Sequence, residues 1–336
     1  MRTGKISESV LKRSVLKKIK VHREEVENGA GVGTDCAVLS FGMGFDTVLS
    51  TTPVTAPMEE VSSYAVATAL NNIAAAGAEP VGVMLAFLLP EGTQEESLQV
   101  AMEQAADICR ICGVEIIGGH TEVTPAVKSP VLTVTGVGKR DAVQAGMLCG
   151  IKPGQDIVIS KWIGLEGTVR LAKGCRQELC TRYPVRMVEE AAGYDKYLSV
   201  IPEAATAMKS GVCGMHDVSG GGVFAALWEM AERAGVGLEI DLKKLPVKQA
   251  TIEICEFYGL NPYELSSGGC LIMTTEHGDA LAAALMREHI PAVLVGKTTE
   301  GNERVIYNED EKRYLDKPQT DQIYKSKLFI DDSMFA

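Results

Sequence analysis

The stretch His216-Asp217-Val218-Ser219-Gly220-Gly221-Gly222-Val223-Phe224-Ala225-Ala226-Leu227 sets the terms for the whole chain. A serine and three glycines stand directly before an apolar, Ala-rich run, the pattern of a turn that opens a helix. Glycines leave backbone N–H groups unhindered, and a helix start adds the positive end of its dipole, which together suit a phosphate or another anion. Gly triplets also make ordinary turns, so the stretch alone leaves both readings open.

Working outward, the second half alternates between the two periodicities. Strands are expected at Asp156–Ser160, Val236–Leu242, Cys270–Thr275 and Val293–Lys297. Helices are expected at Glu166–Lys173, Val185–Gly193, Gly222–Ala234, Lys248–Tyr258 and Asp279–His289. Upstream, Pro153-Gly154-Gln155-Asp156 is a turn signal, and it marks a boundary between domains 1–152 and 153–336. The first half reads as strand Val48–Val54, an Ala-rich helix Glu59–Ala76, a buried strand Val81–Leu89 and a helix Gln94–Cys112 stopped by Gly113. Val114–Ile117 then runs into Gly118-Gly119, and Val131–Val137 is a further strand. The expected class is α/β (α+β mixed) in two domains, which the length of 336 residues also favours. Segment 310–336 is polar and loosely patterned.

Apolar residues make up 46% and charged residues 23%, so the chain can build a core and does not resemble a disordered one. A net charge of −11 argues against nucleic acid or a membrane surface as partner. The longest apolar run, Val81–Leu89, is far short of the ~20 residues that span a bilayer. At the start of the chain, Leu11, Val15 and Ile19 recur among lysines, an amphipathic helix expected over Ser9–Lys20. That arm lacks the apolar core of a secretion signal, and the nine scattered cysteines suit a reducing compartment, so the cytoplasm is expected. Cys109-Arg-Ile-Cys112 has no second pair or histidine to complete a zinc site and is expected to pack on its helix.

Two further Gly-rich elements flank regular structure: Gly31-Val32-Gly33-Thr34-Asp35 and Gly118-Gly119-His120-Thr121-Glu122. Neither matches a Walker or dinucleotide fingerprint. Taken in order with GKIS (4–7), STTPVT (50–55), ALNNIAAAGAEP (69–80), KPGQDIVISKWIGLEGT (152–168), HDVSGGGVFAAL (216–227), LSSGGCLI (265–272) and LVGKTT (294–299), they resemble the AIR-synthase-like superfamily over nearly the whole chain. That superfamily includes AIR synthase, the FGAM synthetase core, thiamine-monophosphate kinase, selenophosphate synthetase and the HypE hydrogenase maturation proteins. HypE-like members are the nearest.

The resemblance implies an N-terminal domain whose sheet pairs with its mate in a dimer barrel, a C-terminal α/β domain, and ATP with Mg²⁺ held between them. It also implies a homodimer, and a small-molecule acceptor or a maturation partner protein. Carried over position by position, Asp35 is the metal ligand and Lys5 the arm lysine. Thr51, Thr52, Asn72, Gly118, Gly119, Thr121, Asp217, Ser219, Gly220, Gly221 and Gly222 fall at nucleotide-binding positions, and His120, Glu122 and His216 are candidate catalytic groups. A lone histidine at a turn is also a common structural residue.

The departures from the family weigh on activity. Thr34 stands where a second acid is usual, Pro53 where the TTD strand has its Asp, and Asn72 where a further acid is usual. Mg²⁺ is a hard cation that needs carboxylates, so its affinity should fall. HypE proper ends in a cysteine that accepts the carbamoyl group, and no cysteine follows Cys270 here. Two functions fit: an ATP-dependent enzyme activating a small acceptor, or a catalytically reduced homologue that binds nucleotide as a regulatory or assembly protein.

Overall fold

The computed structural model describes residues 8–10, 12, 16, 26–28, 31–34, 36–40, 44–143, 150–317, 319–326 and 328. They divide into two compact units. One holds 26–28 and 36–143, and the other 150–326 together with the described residues of 8–16 and 31–34.

The first unit is a six-stranded sheet with two long helices. Its elements are β1 (Val26–Asn28), β2 (Ala37–Ser40), β3 (Phe45–Thr55), α1 (Met58–Ala75), β4 (Glu79–Leu89), α2 (Glu95–Cys112), β5 (Glu115–Val123) and β6 (Val131–Asp141). The strand order is β1-β2-β3-β6-β4-β5. Every pairing is antiparallel except β4 with β5, which α2 links as a crossover. Gly136 lets α1 lie close on the sheet, since a Cβ there would come within 3.1 Å of the Ala69 carbonyl. Val83, Leu85, Phe87 and Leu89 of β4 are buried on the helix side with Leu132 and Val134 of β6.

Val81–Leu89, expected to be buried throughout, is buried on one face only: Val81 and Met84 are each nearly half exposed. Among the described residues of this unit no helix covers the second face, so a run that is apolar on both sides faces outward on one of them. A second correction concerns Gly118-Gly119. The chain does not turn there but continues as β5 to Val123, beside β4. Both glycines adopt positive φ, 157° and 153°, and a Cβ on Gly119 would overlap the Leu85 backbone. The pair is a close-approach device within a strand rather than a loop.

The second unit is a seven-stranded sheet ordered β13-β12-β9-β11-β7-β10-β8. Its strands are β7 (Asp156–Ser160), β8 (Gly214–Val218), β9 (Gly237–Asp241), β10 (Cys270–Thr275), β11 (Ala292–Thr299), β12 (Arg304–Asn308) and β13 (Glu311–Tyr314). Its longer helices are α3 (Leu165–Gly174), α4 (Val185–Ala192), α5 (Ile201–Lys209), α6 (Gly222–Ala234), α7 (Gln249–Tyr258) and α8 (Gly278–Arg287). Apolar residues of α6, among them Val223, Leu227 and Met230, close over Ile157, Ile159, Leu238, Ile240 and Ile272 in one core. Segment 310–336 is more ordered than its composition suggests, with β13 and a one-turn 3₁₀ helix at Gln322–Lys325. Residues 329–336 lie outside the described residues, as does most of the amphipathic segment 9–20, of which the turn Glu8–Val10 is helical.

Cys109 is buried on α2 with Cys112 half-buried beside it, and burial pushes the Cys109 thiol up to about 11. Seven of the described cysteines are free thiols, whereas Cys213 is disulfide-bonded. No helix among the described residues is long and apolar enough to cross a membrane.

Candidate functional site

β8 is an edge strand, antiparallel to β10. Its alternation puts His216 and Val218 on the α6 side and Asp217 on the other; both His216 and Asp217 are buried. His216 Nε2 lies 3.6 Å from Glu229 Oε2 on α6. The turn that follows needs its glycines. Gly221 and Gly222 have φ of 89° and 68°, and Gly222 donates back to the Ser219 carbonyl at 3.2 Å. A side chain on Gly222 would also run into the Tyr263 carbonyl, 2.5 Å from the Cβ position.

Three separated motifs meet at this turn. Ser267 N–H donates to the Ser219 carbonyl at 3.3 Å, the Gly164 N–H donates to Ser267 Oγ at 2.7 Å, and the Gly167 N–H donates to the Ser266 carbonyl at 2.9 Å. At their meeting point lies Asp321, a residue sequence reasoning passed over. Its Oδ2 accepts from the Gly221 N–H and from Ser266 Oγ, each at 2.6 Å. Its Oδ1 accepts from Ile323 N–H at 2.8 Å and Ser266 N–H at 3.4 Å. Asp321 was legible as the N-cap of a short turn, since Asp before Gln322 is a capping residue, but its second oxygen's partners are tertiary. Beside it, Glu166 is buried. Burial raises its carboxyl above the usual range, Arg170 opposes that, and the Asp321 charge adds to the rise.

The first Gly-rich element belongs to the same unit. Gly33 (φ 66°) packs against the Glu229 carbonyl, and Arg233 Nη1 donates to the Gly33 carbonyl at 3.4 Å. The arm also meets α6: Trp228 Nε1 donates to Glu8 Oε2 at 3.3 Å, and Lys12 Nζ lies 2.9 Å from Glu232 Oε1. Lys12 and Arg304 hold the Glu232 carboxyl down at about 2. Lys5 and Asp35 lie outside the described residues.

In the other unit, Asn72 on α1 reaches β3. Its Nδ2 donates to Ser50 Oγ at 2.8 Å and toward Thr52 Oγ1 at 3.4 Å. Thr51 faces the opposite side of the strand and pairs with Thr135 across β6 at 2.9 Å, so the structure separates it from Thr52 and Asn72. His120 and Glu122 project together from β5 on the face without helices, His120 Nε2 3.3 Å from Glu122 Oε2; Gly119 and Thr121 alternate with them. Among the described residues no three His, Cys, Asp or Glu side chains cluster as a metal would require. Among the described residues the Ser50–Thr52–Asn72 group offers hydroxyls and an amide without a carboxylate, which by itself does not fit Mg²⁺.

Residues 33–139 match the AIR synthase related protein N-terminal domain and residues 152–308 its C-terminal domain. Carbamoyl dehydratase HypE of Cupriavidus necator is 32% identical over 272 residues, 76% of this chain and 73% of that protein. The chain belongs to the AIR synthase related family. Within that family it is HypE-like. The fold agrees: the crystal structure of a HypE–HypF complex superposes with a TM-score of 0.73 at 22% identity, over 92% of this chain and 99% of that one. HypE in complex with ATP superposes with a TM-score of 0.66 at 21% identity, over 96% and 97%. The family likeness spans both units, including the Gly-rich turn at 220–222 and the Asn72 position.

Proposed function

We infer that this chain binds ATP or a related nucleotide and uses it to activate a small acceptor during hydrogenase maturation in the cytoplasm. The observation that carries the reading is its HypE-like sequence across both units, in a family where one structural neighbour was crystallised with ATP. Lys5, Thr51, Thr52, Asn72, Gly118, Gly119, Thr121, Asp217 and Ser219–Gly222 are the residues we assign to nucleotide, and Asp35 is the one we assign to a metal. His120 with Glu122, and His216 with Glu229, are the described pairs able to pass a proton. The acceptor would be carbamoyl-like, after the activity named for the Cupriavidus necator relative. The partner would be a maturation protein, after the HypE–HypF complex.

The neutral Ser50–Thr52–Asn72 group favours a second reading, a homologue that binds nucleotide without turning it over. Titration calorimetry with ATP, with and without Mg²⁺, together with ADP release in the presence of carbamoyl phosphate, separates the two. Release of ADP supports the enzyme; binding alone, insensitive to Mg²⁺, supports the second reading. Absence of any nucleotide binding overturns both.

We also assign a homodimer, supported by the first unit's sheet. Its helix-free face carries Leu49, Met84, Leu88, Ile117 and Val137, and β5 is an unpaired edge. Sheets rarely leave an apolar face and a long parallel edge strand in water.

A further inference from the structure

We propose that Asp321 is an internal stand-in for a ligand's anion at the Gly220–Gly222 turn, so that segment 319–326 and a phosphate-bearing ligand compete for the same donors. The inference rests on the nucleotide reading above. The turn already holds an anion: a buried carboxylate that takes the Gly221 N–H and the Ser266 hydroxyl, each at 2.6 Å. These are the short, charge-assisted contacts that a phosphate oxygen makes with a helix-opening turn.

Asp321 does not need them for its local role. Its Oδ1 caps the Gln322–Lys325 turn through the Ile323 N–H, leaving Oδ2 to reach across to residues 100 and 55 positions away. The glycines divide in the same sense. A Cβ on Gly222 would strike backbone, whereas one on Gly220 would meet nothing within 4 Å except Asp321 Oδ2 at 3.7 Å. Among the described residues, the Asp321 carboxylate is the group that faces Gly220 on its open side. When a phosphate takes the turn, segment 319–326 is released.

The full-length protein and its Asp321→Asn variant, checked for equal far-UV circular dichroism, are titrated with pyrophosphate and with ADP. The variant should bind at least tenfold tighter. Equal or weaker binding by the folded variant overturns the proposal. Should the variant fail to fold, hydrogen exchange on the unmodified protein decides. Saturating pyrophosphate should speed exchange at the amides of Gln322 to Lys325, and unchanged or slower exchange overturns the proposal. Nucleotide binding that is indifferent to Asp321 sinks this inference alone, whereas no binding by either protein sinks the nucleotide reading with it.

Discussion

The Lys161 ammonium lies 2.6 Å from the Glu203 carboxylate with both side chains almost wholly buried. Lys161 sits at a positive φ of 51° just after β7, and its Nζ also donates to the Tyr197 and Ser199 carbonyls at 2.7 and 2.6 Å. One cation thus ties the β7 loop to the start of α5. Burial pushes the Lys161 amine down and the Glu203 carboxyl up, while each partner pulls the other back. Removing the carboxylate alone strands the ammonium. Glu203→Ala should cost about 3–5 kcal/mol in urea unfolding, and the double variant Lys161→Met with Glu203→Leu should cost less than either single change.

Gly220 and Gly222 are adjacent in kind but not in consequence. Gly222→Ala forces a Cβ to 2.5 Å from the Tyr263 carbonyl at a φ that disfavours alanine, and about 2–3 kcal/mol of stability should be lost. Gly220→Ala has room and should leave the unfolding free energy within about 0.5 kcal/mol of the parent. Denaturant titration of both variants checks this, and equal losses would contradict it.

The arm's attachment to α6 should depend on acid. Glu232 has a folded value of about 2 against 4.5 unfolded, so its contribution to stability is fully present above about pH 4.5 and is lost as pH falls through about 2. Trp228 touches the arm through Glu8 and stacks under Arg304, 3.8 Å from its ring centroid. Its fluorescence should therefore change between pH 4.5 and 2, and in Glu232→Gln most of that change should vanish. An identical titration in the variant would locate the acid response elsewhere.

The proposed homodimer predicts its own disruption. Met84 and Ile117 are 46% and 52% exposed, and a lysine at either site would place charge in an apolar interface. Light scattering should report a dimer for the parent at micromolar concentration and a monomer for Met84→Lys or Ile117→Lys, with unchanged circular dichroism. A monomeric parent would refute the assignment.

What was legible in the sequence follows from how local each signal is. Asp156–Ser160, Gly222–Ala234 and Cys270–Thr275 were readable end for end, because apolar strands and a Gly-opened helix declare themselves within a dozen residues. β8 was not: His216 and Asp217 break the apolar run, and they are buried only because β10 lies alongside. α5 was missed because Pro202 stands in its first turn and reads as a breaker, although that position tolerates proline. Gly118-Gly119 suggested a turn, since glycine signals backbone freedom without saying whether a bend or a close approach uses it. At the site, the three glycines are visible and Asp321 is readable as a turn cap, but its place beside them is not, because its partner Gly221 lies 100 residues away and no periodicity links them.

The Asn72 position offers a sharp test of whether a divalent cation has a place beside it. Asn72 is buried and donates to Ser50 and Thr52, so the site is set up to present hydroxyl and amide groups rather than charge. Asn72→Asp puts a carboxylate where the Ser50 and Thr52 hydroxyls must turn to donate to it, and without a cation the buried charge should cost about 1–3 kcal/mol. Its carboxyl should be raised by burial, so that loss appears as pH rises through the folded value and is absent at acid pH. A divalent cation would relieve it. Thermal unfolding at pH 7 should accordingly show Mg²⁺ raising the midpoint of Asn72→Asp by several degrees while leaving the parent unmoved, and ATP affinity should become Mg²⁺-dependent by at least tenfold in the variant alone. Equal Mg²⁺ responses in the two proteins would mean that Asn72 does not face the metal's place, and that the loss of an acid there carries no weight for catalysis.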